Sequence, residues 1–378
     1  MKFAILGVGK VGYGAACYIL DNADPEQFGL FDSDDKFIQT LIKKYQSRNL
    51  VKLELDLDNT KTAVEELNGY DAVICCLPYH LNKRVAEISL EAGCHYTDLG
   101  GNDTVTDSIL SMDKQAKEAG VSLVPDCGLA PGLVSVIAAD FVDKLGTVDE
   151  IKLKVGGLPK NPIPPFNYQV TFNAQGLINE YKEPVRILRN GEEKIVESLK
   201  GLEFFEFPGI GGVEAFYTSG GLSTLTRTLN DSVKNISYKT IRFPGHCNIL
   251  NSLRDTGFFD EKSMIIHNGS KTSPRKFLEA MLEQRYTSEE PDMILLYTNA
   301  IDKGKEKAVY HFIDYGDEKH GLSAMQKCTA IPIAVASVLQ AEGKLKETGA
   351  KPQEMVFNAS DYLDKVVQWG IEMIREAN

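Results

Sequence analysis

The opening segment KFAILGVGKVG (Lys2 to Gly12) narrows the possible folds more than any other part of the chain. An apolar run ends in glycine, G-x-G-x-x-G follows at Gly7, Gly9 and Gly12, and helical spacing begins at once. Strand, glycine turn and helix in that order make the dinucleotide-binding unit of an open parallel sheet. A second strand, FGLFD, ends in Asp32, twenty residues beyond Gly12, where an acid of such a unit meets the adenosine ribose. Gly7 permits the tight turn, Gly9 lets the backbone approach a pyrophosphate on the helix N-terminus, and Gly12 lets the helix pack closely on the strand. Lys10 and Val11 lie between the glycines in that first turn. Asp32, with Asp34 and Asp35 after it and no arginine nearby, would repel a 2′-phosphate, so NAD is expected rather than NADP. A purely structural glycine turn is the competing reading of the motif on its own.

The alternation continues to about residue 125: VKLELDLD, DAVICCLP, CHYTDLG and VSLVPD read as strands, each preceded by a helical segment. Near-continuous apolar strands separated by helices predict a doubly wound (Rossmann) parallel sheet, an α/β fold. Leu77 and Pro78, ending the fourth strand, are expected at the carboxyl edge beside the cofactor's nicotinamide half. Pro78 serves equally as a helix start. Beyond Gly132 the rhythm changes to a long helix and then successive strand-like segments: EIKLKVGGL, FNYQVTF, PVRILRNG, GVEAFYTS, ISYKTIRF, DMILLYTNAID and KAVYHFIDY. Their period-two patterning predicts an α+β second domain, mostly antiparallel, over residues 133–319. Two further helical segments, SAMQKCTAIPIAVASVLQAEG and ASDYLDKVVQWGIEMIREA, close the chain.

At 378 residues two domains are expected, and a net charge of -12 argues against nucleic acid as a partner. No run approaches the ~18 apolar residues of a membrane span. The N-terminus enters a strand directly, and seven cysteines show no C-x-x-C spacing. A reducing, cytoplasmic protein is therefore expected, with neither disulfides nor zinc. The histidines lack H-x-x-x-H or H-E-x-x-H spacing, so no metal is expected.

With these pieces placed, the chain resembles the saccharopine dehydrogenase family, most closely its lysine 6-dehydrogenase branch. The resemblance is carried by GVGKVG, DLGGN (Asp98 to Asn102), PDCGLAPG, GLINEYKEPVRILRNG (Gly176 to Gly191), EAFYTSGGLSTLTRT (Glu214 to Thr228) and KTIRFPGH (Lys239 to His246). It implies that the C-terminal helices return to the first domain. Residues 1–132 and about 320–378 then form the dinucleotide domain, and 133–319 are an insertion. It also implies NAD-linked oxidation of the ε-amine of L-lysine to allysine, its cyclic piperideine-carboxylate form and ammonia. Ala130 stands where the family's saccharopine reductases carry Asp, which speaks against saccharopine as substrate. A related opine or polyamine-precursor reductase, of saccharopine or carboxynorspermidine type, is the alternative. A catalytically silent NAD-binding protein is another.

Oxidising a primary amine requires deprotonating the ammonium, placing its carbon against the cofactor and holding the far carboxylate, a task suited to arginine. Asp126 and Asp98 each follow a strand at the carboxyl edge and are candidates for acid–base work, with turn or cap residues as the plain alternative. In KTIRFPGH, Arg242 suits the substrate carboxylate and His246 suits proton movement; a solvated strand face and a helix cap are the plain readings. Glu214 and Tyr217 are candidates to line an amino-acid pocket, or to end a strand. Glu180, Tyr181 and Glu183 read as an exposed helix end, although the resemblance implies that this segment lies near the cleft. Cys127, with no histidine partner, is expected to pack. The partner is a small amino-acid substrate, and a homodimer built on the second domain is expected.

Overall fold

In the computed structural model, residues 1–170, 173–287 and 290–377 are described. Six strands, β1 (Lys2–Leu6), β2 (Gln27–Phe31), β3 (Leu50–Lys52), β4 (Ala72–Cys75), β5 (His95–Asp98) and β6 (Ser122–Val124), alternate with helices α1 (Lys10–Asn22), α2 (Lys36–Lys44), α3 (Thr60–Leu67), α4 (Asn82–Glu91), α5 (Asp103–Leu110) and α6 (Asp113–Ala119). The strands pair in parallel in the order β6-β5-β4-β1-β2-β3, so the topology reverses between β1 and β4 and opens a crevice at their carboxyl ends.

Burial on both faces explains the apolar runs. Phe3 and Ile5 point into a core shared with α1, whereas Ala4, Leu6, Val73 and Cys75 point into one shared with Val85 and Ile88 of α4. The third strand is shorter than its sequence pattern suggests. After Leu53 the chain turns away, and Asp56 accepts the Asp58 N–H at 3.0 Å.

Helix α7 (Leu133–Leu145) leads into a mixed sheet built from β7 (Val148–Pro159), β8 (Val185–Arg189), β9 (Glu192–Val196), β10 (Glu203–Phe207), β11 (Gly211–Tyr217) and β12 (Val233–Arg242). A small hairpin, β13 (Ile265–His267) and β14 (Ser270–Thr272), stands apart, and β15 (Asp292–Asp302) and β16 (Lys305–Asp314) complete the run. Only β7 with β12 pairs in parallel among the described strands of this sheet. Helices α8 (Ala174–Lys182), α9 (Leu225–Thr228), α10 (His246–Asp255) and α11 (Pro274–Tyr286) belong to the same region.

One strand expectation is corrected here, and two strands are added. Residues 166–170 of FNYQVTF form no strand, because Phe166, Tyr168 and Val170 bury their side chains among α8, α10 and α11; the last two residues of that segment lie outside the described residues. The hairpin strands β9 and β10 escape the pattern because their side chains are largely charged or exposed.

Helix α12 (Ala324–Ala341) lies against α1, β4 and β5 of the first sheet. Thr97 and Ser337 hydroxyls meet at 2.8 Å, and Gln340 Nε2 donates to the Tyr96 and Ser122 carbonyls at 3.1 Å. Strand β17 (Gly349–Ala350) adds to the edge of that sheet beside β6, and α13 (Gln353–Val356) and α14 (Ala359–Gln368) follow. The final helical segment is shorter than its pattern: Gly370, at φ +119, breaks it, and β18 (Ile374–Ala377) pairs antiparallel with β16. The end of the chain thus joins the second sheet, correcting a boundary that assigns all of 320–378 to the first.

Candidate active site

The crevice between β1 and β4 is shaped by backbone. Gly7 sits at φ +95, and a Cβ there would stand 2.6 Å from the Cys76 carbonyl carbon and 2.8 Å from the Leu77 nitrogen. A Cβ on Gly12 would collide with the Gly7 carbonyl oxygen, whereas one on Gly9 would meet nothing within 4 Å. The space above Gly9 is therefore open, and α1 begins there with no side-chain cap, leaving the first-turn N–H groups of Lys10, Val11 and Gly12 for an anion. Asp32 follows β2 directly beside Gly7, whose N–H donates to Phe31 O at 2.8 Å. Its Oδ1 accepts the Asp34 N–H at 2.9 Å, and Oδ2 has no partner among the described residues. Leu77 and Pro78 lie on the other lip. The donor set and the open cradle fit a dinucleotide. A cleft of about 1100 Å³ opens beside this turn, lined by Lys10 and Tyr13 on one side and by Gln169, Val170 and Asn173 on the other.

Asp98 and Asp126 meet at the carboxyl edge of β5 and β6. Asp98 is 1% exposed and saturated: Oδ2 accepts the Tyr96 hydroxyl at 2.8 Å, and Oδ1 accepts Gly100 N–H at 2.6 Å and Asp126 N–H at 3.0 Å. It fixes the loop that carries Asp126. Asp126 itself lies at φ +63, in the left-handed region, with its carbonyl held by Gln353 Nε2 at 2.6 Å. Its carboxylate takes one hydroxyl from each domain, Thr106 at 3.1 Å and Ser223 at a short distance. Gly100 makes room, since a Cβ there would strike Asp126 Oδ1. Burial, and then the neighbouring charge of Asp98, push the Asp126 carboxyl up to about 7, against the two hydroxyls that stabilise its charge. Burial raises Asp98 as well. Burial also lifts the Cys127 thiol well above its ordinary value, so this cysteine stays protonated and packs.

In the second domain, Arg242 ends β12 and is 4% exposed. Its Nε donates to the Tyr181 hydroxyl at 3.0 Å, one terminal nitrogen donates to Ile241 O at 2.9 Å, and the guanidinium lies 4.7 Å from the Tyr168 ring centre. Tyr181 in turn meets His246 Nε2 at 3.0 Å, and His246 Nδ1 meets Phe166 O at 2.9 Å. The carbonyl requires Nδ1–H, so Nε2 accepts from Tyr181. Burial, reinforced by Arg242, lowers His246 to about 3, and the ring is neutral near neutral pH. His246 therefore orients Tyr181 and Arg242 instead of relaying protons, which corrects the proton-moving expectation.

Glu214 is 0% exposed, and its two oxygens accept Gly245 N–H at 2.8 Å and Cys247 N–H at 2.6 Å. It caps the start of α10 with both oxygens. Tyr217 points to the opposite face of the sheet, where it packs on Gly201 with the Lys239 ammonium 4.9 Å from its ring centre. Glu214 thus lies beside Arg242, its partner across the strands, but is spent on the α10 cap, whereas Tyr217 lies on the other face. Conversely, Tyr181 is fully buried, not part of an exposed helix end. Its position with Ala174, Leu177 and Ile178 on one apolar helical stripe carries that signal. Ser223, Thr106 and Gln353 were not legible, because their roles depend on segments far apart in sequence.

A dinucleotide cradle, a buried carboxylate at the sheet edge and a buried guanidinium ending β12 make a candidate site of the nucleotide-binding α/β class. Residues 3–124 match the family model described as the saccharopine dehydrogenase NADP binding domain, and residues 128–371 match the saccharopine dehydrogenase C-terminal domain. The chain belongs to the saccharopine dehydrogenase family. It is 24% identical over 276 residues to the mitochondrial alpha-aminoadipic semialdehyde synthase of Mus musculus, covering 69% of this chain but only 29% of that protein. It is also 24% identical over 383 residues to the carboxynorspermidine synthase of Vibrio alginolyticus, covering 89% of this chain and 86% of the relative. The fold matches apo saccharopine dehydrogenase (L-Glu forming) from Saccharomyces cerevisiae with a TM-score of 0.79 at 17% identity, over 100% of this chain and 99% of that one.

Among the described residues no helix is long and apolar enough to cross a membrane.

Proposed function

We propose that the protein catalyses NAD-linked oxidative deamination of the ε-amine of L-lysine, yielding allysine, its cyclic piperideine-6-carboxylate form and ammonia. The observation that carries this reading is Asp126, a buried carboxyl raised to about 7 at the edge of the nucleotide-binding sheet and bound by the Ser223 hydroxyl of the second domain. Arg242 holds the substrate carboxylate through its remaining N–H groups. Asp126 attracts the ε-ammonium and takes its proton, which frees the lone pair needed for hydride to leave the adjacent carbon. The nicotinamide, when bound, supplies the hydride acceptor. Asp126 then assists water addition to the substrate imine by returning and removing protons until ammonia departs. Two hydroxyl donors occupy part of its acceptor capacity and leave lone pairs for the substrate.

NAD is preferred in this reading because Asp32 offers Oδ2 to ribose hydroxyls and repels a phosphate, and Lys52 on the same edge is tied to Asp35 at 2.8 Å. A homodimer formed through the second domain in the cytoplasm belongs to the same proposal. A second reading, reductive condensation giving a carboxynorspermidine-type product, is favoured by the near full-length likeness to the Vibrio alginolyticus enzyme. One assay tests the first reading: formation of reduced cofactor from lysine, ornithine, saccharopine or diamines with NAD or NADP. Turnover of lysine with NAD supports the first reading. Turnover of saccharopine without turnover of lysine overturns it.

A further inference from the structure

Glu180 occupies the last turn of α8, next to Tyr181, and its backbone carbonyl accepts the Ser219 N–H at 3.1 Å. Ser219 opens the loop that delivers Ser223 to Asp126, so Glu180 stands on the same wall as the acid–base group. Its carboxyl makes no hydrogen bond or ion pair with any described residue. Most of its surroundings oppose its charge. The helix C-terminus presents partial negative charge, Glu183 repels it, and the site withdraws it from water. The one favourable neighbour is Arg242, yet no ion pair joins the two. Arg242 likewise keeps one terminal nitrogen without a hydrogen bond among the described residues, its other donors going to Tyr181 and Ile241. A half-buried anion without a partner and a buried cation close enough to feel each other, but not paired, match a ligand that carries both charges at a fixed spacing.

We propose that Glu180 binds the α-ammonium of the substrate and, with Arg242 on the α-carboxylate, restricts the site to free α-amino acids. This rests on the amine-oxidation reading above and adds the feature that selects the substrate. Burial that lifts the Glu180 carboxyl to about 7 accords with a group held ready for an incoming cation. Diamines lack the carboxylate, and ω-amino acids lack the α-ammonium, so each satisfies only half of the pair.

The test is calorimetric titration of the NAD-loaded protein with L-lysine and with 6-aminohexanoate, which is lysine without its α-ammonium. The wild type is expected to bind lysine at least about tenfold more tightly, and Glu180→Gln to bind the two alike with the 6-aminohexanoate affinity unchanged. Glu180→Asp keeps the charge and is expected to keep the preference, which covers the case in which the amide variant fails to fold. No preference in the wild type, an undiminished preference in Glu180→Gln, or binding of neither ligand overturns the proposal. The two readings fail separately. Preference without reduced cofactor removes lysine oxidation and leaves the head-group assignment, whereas equal oxidation of both compounds removes the assignment and leaves the oxidation.

Discussion

The two walls of the cleft are made in different ways. The first is a backbone surface: Gly7, Gly9 and Gly12 create it by the side chains they lack, and its N–H groups lie within one turn of helix. The second is a side-chain relay, Arg242 to Tyr181 to His246 to Phe166, drawn from β12, α8, α10 and the 166–170 segment. Asp126 joins them, with Thr106 from one side and Ser223 from the other. A backbone surface tolerates change poorly at few positions and is readable locally. A relay distributes its function over residues that share nothing in sequence.

The sharpest way to break this comparison is at the junction. Asp126→Asn removes the base from both walls and is expected to lower kcat on the order of 10²–10⁴-fold while leaving NAD affinity unchanged. Loss of cofactor affinity in equal measure would mean that Asp126 belongs to the first wall alone. Arg242→Met removes the cation of the second wall. The expected result, from steady-state kinetics, is a KM for lysine raised by about 10- to 100-fold, the worth of charged hydrogen bonds, with a smaller change in kcat. Asp32→Ala acts on the first wall only; fluorescence titration is expected to show NAD binding weakened by about tenfold and its advantage over NADP reduced, with lysine binding unaffected.

Ser223→Ala is the smallest change. The Ser223 hydroxyl stabilises the charged form of Asp126, so its loss raises the Asp126 pKa further. Catalysis needs the deprotonated carboxylate, and the acid limb of the pH–rate profile is therefore expected to move upward, by up to about one pH unit. A downward shift would contradict the hydrogen-bond direction.

Legibility in the sequence follows the same division. The strand–turn–helix at Lys2 to Gly12 and the acid at Asp32 are local, and the structure places them around one crevice. Asp98 and Asp126 were legible as edge residues, since each ends or follows a buried strand, but not which of them is saturated. That depended on Tyr96 and Gly100 engaging Asp98 while hydroxyls from α5 and the 218–224 loop engaged Asp126. On the second wall, Arg242 could be chosen for its chemistry. Glu214 could not be told from a pocket residue, because its partners are backbone N–H groups of a helix thirty residues on. Tyr217 was placed by strand register alone: pairing with Lys239 puts it on the face opposite Arg242.

The pH dependence of kcat/KM for lysine with NAD, measured on the wild type and on Asp126→Asn, tests the central assignment most directly. The wild-type rate is expected to rise through a limb near pH 7 as Asp126 loses its proton, and that limb is expected to vanish in the variant along with most of the activity. An unchanged limb and an unchanged rate in Asp126→Asn would contradict the account.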